Sequence, residues 1–205
     1  MKHIVMLFTA LTLGLTPYNT GELSKKERKQ ATRLLENSMK DLFKGIKDLS
    51  EAQWNYKPAD GRWSVAETCE HLLIAEKGFY PLITQRILTN EAFREAPVES
   101  ERITDQQVID KISDRSPENR VKTTPQAEPK GHVKSRDEFM TAYETTRQKL
   151  VDYANTSDAA LKSYYFQSPA GKISAYQWLL LAGAHTQRHF AQIKELMEDP
   201  GYPSL

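Results

Sequence analysis

The chain has 205 residues, 39% of them hydrophobic and 27% charged, which is enough for one domain with a proper core. Its 28 basic and 27 acidic residues leave a net charge of +1. No run of Lys and Arg interleaved with aromatics stands out, so the counterion release that drives nucleic-acid binding has little to act on, and no nucleic-acid partner is expected. Residues 1–20 differ in character from the rest of the chain. Lys2 and His3 precede Ile4 to Thr16, an uncharged and largely apolar run ended by Pro17. That length suits the apolar stretch of an export leader and is too short to span a bilayer, so no stable membrane span is expected. No A-x-A cleavage pattern comes after it, and the competing reading is an N-terminal extension packed on the domain. A leader predicts export to the periplasm or the cell exterior; an extension predicts a cytoplasmic protein. The domain proper is expected over residues 21–200.

From Ser24 onward, four Ser/Glu or Ser/Gln pairs at a spacing of three mark helix starts, because each side chain can satisfy a free backbone N–H at the other. They are Ser24 with Glu27, Ser64 with Glu67, Ser135 with Glu138, and Ser174 with Gln177. The first helix, to about Asp48, carries Ala31, Leu34, Leu35, Leu42, Phe43 and Ile46 at helical spacing. The second runs to about Asn90 with Val65, Cys69, Leu72, Leu73, Phe79 and Ile83, and a kink is expected at Pro81, which cannot bond the carbonyl of Lys77. Cys69, the sole cysteine, reads as a small core residue. The third helix, to about Ala154, is sparser, with Phe139, Tyr143, Leu150 and Ala154; the fourth ends near Glu198, before Pro200-Gly201. Helices one and two, and again three and four, are joined by similar segments: an acidic turn, an aromatic stretch, a Pro-Ala-Gly-type turn and the next N-cap. Between these two hairpins Glu91 to Lys134 forms a long crossover with four prolines and room for one short helix capped by Thr104 and Gln107. A link of that length lets the third helix run parallel to the second, giving an all-α four-helix bundle in up-down-down-up order.

The chemistry concentrates in Gly183 to Leu196, GAHTQRHFAQIKEL. At about 3.6 residues per turn, His185 and His189 stack on one face, roughly 5–6 Å apart. Trp178, Leu181, Ala182, Ile193 and Leu196 share that side, so the pair is directed into the core. Buried imidazoles need partners: neighbouring carbonyls or carboxylates, or a metal ion. His71, at the edge of the second helix's apolar face, is a candidate third ligand.

Trp63-Ser64-Val65 followed by His71-Leu72, and then His185-x-x-Arg188-His189-x-x-Gln192-Ile193, resemble the two signature segments of the DinB-like (YfiT-like) superfamily of metal-binding four-helix bundles. The resemblance runs from about Ser24 to Met197 and takes in the link from Thr124-Pro125 to Pro129-Lys130-Gly131. It implies one ligand on the second helix and two on the fourth, roles that fall on His71, His185 and His189, and it implies the same helix order. The family includes thiol-dependent S-transferases, a mycothiol-dependent maleylpyruvate isomerase and metal-dependent hydrolases. The expected function is therefore divalent-metal-dependent catalysis on a small molecule, by hydrolysis or with a low-molecular-weight thiol; the alternative is a module that binds metal or ligand without turnover. The resemblance also leaves a homodimer open.

Three neutral imidazoles would leave coordination positions for water or substrate, a catalytic pattern, since structural zinc is commonly closed by four protein ligands. Zinc, nickel, iron and manganese all suit such a donor set. A zincin protease is excluded because Thr186 stands where H-E-x-x-H needs Glu. A ferritin-like di-iron site is excluded by Thr68 and Ala182, three residues before His71 and His185. No general base is evident: Glu70 and Glu76 read as exposed-face carboxylates. Arg188 and Gln192 match the second of those segments and could bind substrate or a water beyond the ligands, the alternative being a surface or packing role. The crossover with the aromatic loops Trp54–Trp63 and Tyr164–Phe166 is expected to supply substrate contacts.

Overall fold

The computed structural model describes residues 21–119 and 123–204, so the expected leader or extension at residues 1–20 lies outside the described residues. Four long helices form the frame: α1 (Lys25–Ile46), α3 (Val65–Pro81), α5 (Arg136–Thr156) and α6 (Ala175–Met197). The reciprocal caps at Ser24/Glu27, Ser64/Glu67 and Ser174/Gln177 are all formed, each worth about 1 kcal/mol against alanine. At Ser135 half the box forms: its hydroxyl accepts from Glu138 N–H, whereas the Glu138 carboxylate accepts from Lys134 N–H.

Named contacts set the helix directions. Tyr176 lies near Glu27, and an added Cβ at Gly45 would meet Phe190, so α1 and α6 run parallel. Arg28 bonds the carbonyls of Ala154 and Asn155 while Phe43 packs on Phe139, so α1 and α5 are antiparallel. Glu76 pairs with Arg147 and Tyr80 packs on Tyr153, making α3 and α5 parallel. His71 meets His189 and Phe79 meets Trp178, making α3 and α6 antiparallel. This is the up-down-down-up order. Gly183 brings α6 tight against α1, since a Cβ there would sit 2.6 Å from Leu34 Cγ and 3.3 Å from its backbone.

The connections hold more structure than their sequence suggests. A short helix α2 (Glu51–Asn55), with its own Ser50/Gln53 capping box, occupies the first link. The second contains an antiparallel hairpin, β1 (Tyr165–Ser168) paired with β2 (Gly171–Ser174). Its tight turn needs Gly171 at φ 121° and is closed by Ser168, whose hydroxyl donates to Gly171 O and accepts from Ala170 N–H. The crossover carries the expected capped helix, α4 (Asp105–Ser113), together with single turns of 3₁₀ helix. α4 docks on α6 through Gln177, whose amide donates to Ile103 O and Asp105. At Pro81 the kink takes the form of a widened turn: Leu82–Ile87 runs as π-helix, with Leu88 N–H bonded to Ile83 O at 3.1 Å. No helix among the described residues is long and apolar enough to cross a membrane.

The core is divided along the bundle axis. One apolar cluster contains Leu35, Phe79, Leu150 and Leu179; the other contains Leu42, Leu72, Phe139 and Ile193. Between them on all four helices lies a buried polar layer: Ser38, Glu76, Tyr143, Arg147 and Thr186. Cys69 is fully buried, as expected, and burial pushes its thiol pKa up.

Candidate metal centre

His71 of α3 and His185 and His189 of α6 converge in this layer, their ligand atoms all within 4.8 Å of one another. His185 Nε2 stands 3.3 Å from His71 Nε2 and 3.1 Å from His189 Nε2. The Nδ1 atoms of His71 and His189 face outward. His71 Nδ1 is 2.8 Å from the carbonyl of Ala127, which can only accept, so Nδ1 carries the proton and Nε2 presents a lone pair. His189 Nδ1 donates in the same way to Gln192 Oε1 at 3.0 Å. A proton on His185 Nε2 can serve one of the two facing lone pairs and leaves the other unsatisfied. A cation resolves the conflict: nitrogens bound at about 2.0–2.1 Å and tetrahedral angles lie roughly 3.3 Å apart, the spacing seen here.

Protein contacts outside the trio hold the rings. Trp63 covers His71 at 5.1 Å between centroids, and Phe79 meets His185 edge-on at 5.9 Å. All three imidazoles are held neutral, the form that binds a metal. Burial dominates for each. His185 lies well below its usual 6.5, the neighbouring imidazoles, Arg147 and Arg188 adding to the effect. His189 is pushed down to about 3, with the Gln192 bond opposing; His71 is lowered against the bond to Ala127.

Neither nearby carboxylate is on an exposed face. Glu70, 3% exposed, accepts N–H bonds from Lys130, Gly131 and His132 at 3.1, 2.8 and 2.9 Å. It pins to α3 the stretch of crossover that carries Ala127, so residue 70 supports the imidazole at residue 71. Burial raises its pKa, but the three amides outweigh this and hold it below the ordinary carboxylate value. Glu76, 1% exposed, pairs with the fully buried Arg147, whose Nε and Nη2 lie 2.7 and 2.8 Å from its two oxygens. Arg147 also reaches Leu35 O, the Ser38 hydroxyl, Tyr143 and Thr186, so one guanidinium ties four helices together beside His185. Thr186, which rules out a zincin, bonds Tyr143 at 2.7 Å in this network. The clue to Arg147 is its spacing, four residues after Tyr143 and three before Leu150 on the core face of α5.

A cavity of about 700 Å³ opens beside the histidines. Its lining includes Ala75, Phe79, Trp178 and Leu181 from the bundle, and Lys111, Ile112, Glu118, Thr123, Thr124 and Ala127 from the crossover, as expected for that segment. Pro169 of the hairpin turn and Arg188 complete this wall. The aromatic loops are not part of the lining. Trp63 packs on His71, and Phe166 packs against Trp178 and Phe93, with Arg86 over its ring. Arg188 therefore faces the cavity, whereas Gln192 orients the His189 ring.

A model of the DinB superfamily matches residues 34–193. This chain belongs to that superfamily. Among its relatives is the uncharacterized protein YuaE of Bacillus subtilis, 24% identical over 158 residues, 75% of this chain and 88% of YuaE. Among solved structures, YfiT from Bacillus subtilis superposes with a TM-score of 0.56 over 88% of this chain and 91% of its own, at 17% identity. YfiT is described as "a probable metal-dependent hydrolase with an unusual four-helix bundle topology". At that identity the likeness shows the fold, and the helix order of this DinB member is the one derived above from its own contacts.

Proposed function

We propose that this DinB-superfamily protein is a divalent-metal-dependent hydrolase acting on a small molecule, with His71, His185 and His189 holding the ion through Nε2. The observation that carries the reading is the convergence of three neutral imidazoles, with no carboxylate among them, on the wall of a cavity large enough for a substrate. A divalent ion in that position would polarise a substrate carbonyl and lower the pKa of a bound water from about 15.7 towards 7. The chain supports this by position. Ala127 and Gln192 fix two ring orientations, Glu70 fixes the segment bearing Ala127, and Phe79, Trp178 and Leu181 exclude bulk water from one side. Glu70 and Glu76 are both engaged elsewhere, so neither is free to take a proton.

The test is turnover of a panel of esters and amides by metal-loaded and chelator-stripped protein, with thiol-plus-electrophile pairs as a second arm and His185→Ala as control. Metal-dependent hydrolysis lost in the control supports the reading. Turnover only in the thiol arm would replace hydrolysis with S-transfer, and activity unchanged in His185→Ala would place catalysis elsewhere.

A further inference from the structure

The cavity has two kinds of wall. Phe79, Trp178 and Leu181 make an apolar side, while Lys111 and Arg188 contribute two cations against one acidic residue, Glu118, among the described lining residues. α4 draws the cations to one rim. Arg188 Nη1 lies 3.5 Å from the carbonyl of Ile112, the residue after Lys111. Lys111 Nζ reaches the carbonyl of Ala170 at 3.4 Å, beside the lining residue Pro169. Both of these bonds go to carbonyls, which carry no net charge of their own. Asp114 and Glu195 stand near Arg188 and offset part of its charge, but Glu195 is already paired with Arg115, which adds positive charge there. The three neutral histidines add no negative charge to the lining, so cationic donors stand at one side of the cavity and apolar side chains at the other.

We infer that the substrate is a small organic anion with an apolar body, its charged end held at Arg188 and Lys111 and its body lying along Phe79, Trp178 and Leu181. A planar guanidinium suits a carboxylate through paired N–H bonds, and a lysine adds a mobile second charge. The inference builds on the metal-centred hydrolase reading for the position of the reacting carbon, whereas the anion contact belongs to the two cations alone.

Calorimetric titration of the full-length, metal-loaded protein with 3-phenylpropanoate and its neutral isostere 3-phenylpropanamide tests it. The anion should bind about tenfold tighter or better, the gain expected of a charge-assisted pair. Arg188→Gln and Lys111→Gln should each remove much of that preference, with amide affinity and metal content per chain unchanged. Equal affinity for the two probes, binding of neither, or a preference that survives Lys111→Gln/Arg188→Gln would overturn the inference. Metal content separates its fate from that of the hydrolase reading. A preference that survives the double variant and disappears on stripping the metal belongs to the ion, which contradicts this inference and leaves the metal site standing. A protein that holds no metal yet loses its preference in the double variant upholds the anion site and removes the metal one.

Discussion

Replacing Arg147 by methionine should be among the most damaging single changes in this protein, and the structure gives the size of the effect. The guanidinium is fully buried and forms an ion pair with Glu76, itself 1% exposed. Methionine fills much of the volume but leaves a carboxylate in the core without its counter-charge. Breaking a buried pair in this way costs about 3–5 kcal/mol, which for a domain of this size lowers Tm by roughly 6–20 °C. The loss should depend on pH. Burial already raises the Glu76 pKa above 4.5, with Arg147 opposing; without Arg147 it rises further. A carboxyl whose folded pKa lies above its unfolded value stabilises the fold at low pH and loses that contribution as pH rises, so the deficit of the variant should be largest near pH 8 and shrink towards pH 5. The double variant Arg147→Met/Glu76→Leu should recover most of the loss, since Tyr143 and Thr186 still satisfy each other at 2.7 Å. Thermal melts of the metal-free proteins at several pH values decide it. A deficit in Arg147→Met below about 1 kcal/mol, or a double variant no more stable than the single one, would refute the reasoning.

Removing the Glu70 carboxylate with Glu70→Ala should release the crossover: hydrogen exchange at the amides of residues 130–132 should accelerate, and metal affinity should fall about 10- to 100-fold as the Ala127 support of His71 loosens. Unchanged exchange at those amides would count against the clamp. The metal-free protein should also lose stability in acid. All three histidines have folded pKa values below 6.5, so their contribution is complete above about pH 6.5 and declines as pH falls, by up to about 1.36 kcal/mol per pH unit for each ring kept neutral. A Tm that stays flat from pH 7.5 to 5.5 would show that the rings charge freely in the fold.

The bundle was legible because its signals are local: N-cap pairs at a spacing of three, apolar residues at helical spacing, and a link too long for a simple hairpin. The histidines could be brought together in advance because two lie one turn apart on the most apolar helix and the third sits at the edge of another apolar face. The roles of the carboxylates could not. Glu70 and Glu76 look alike in sequence, yet one binds three amides from a segment some sixty residues away and the other an arginine about seventy residues away. Such partners are long-range, and no periodicity encodes them. The hairpin β1–β2 escaped notice because a four-residue strand beside a Pro-Ala-Gly turn carries too few alternations to stand out from an aromatic loop. The aromatic loops misled for a related reason: an aromatic ring in a connection can line a cavity or plug the core equally well, and tertiary packing decides between them.

The most direct measurement is metal content per chain, by elemental analysis of the purified wild type and its histidine variants. One divalent ion per chain is expected in the wild type and in His132→Ala, whose side chain lies outside the trio, with most of it lost in His71→Ala, His185→Ala and His189→Ala. Stoichiometric metal retained in His185→Ala/His189→Ala would contradict the account.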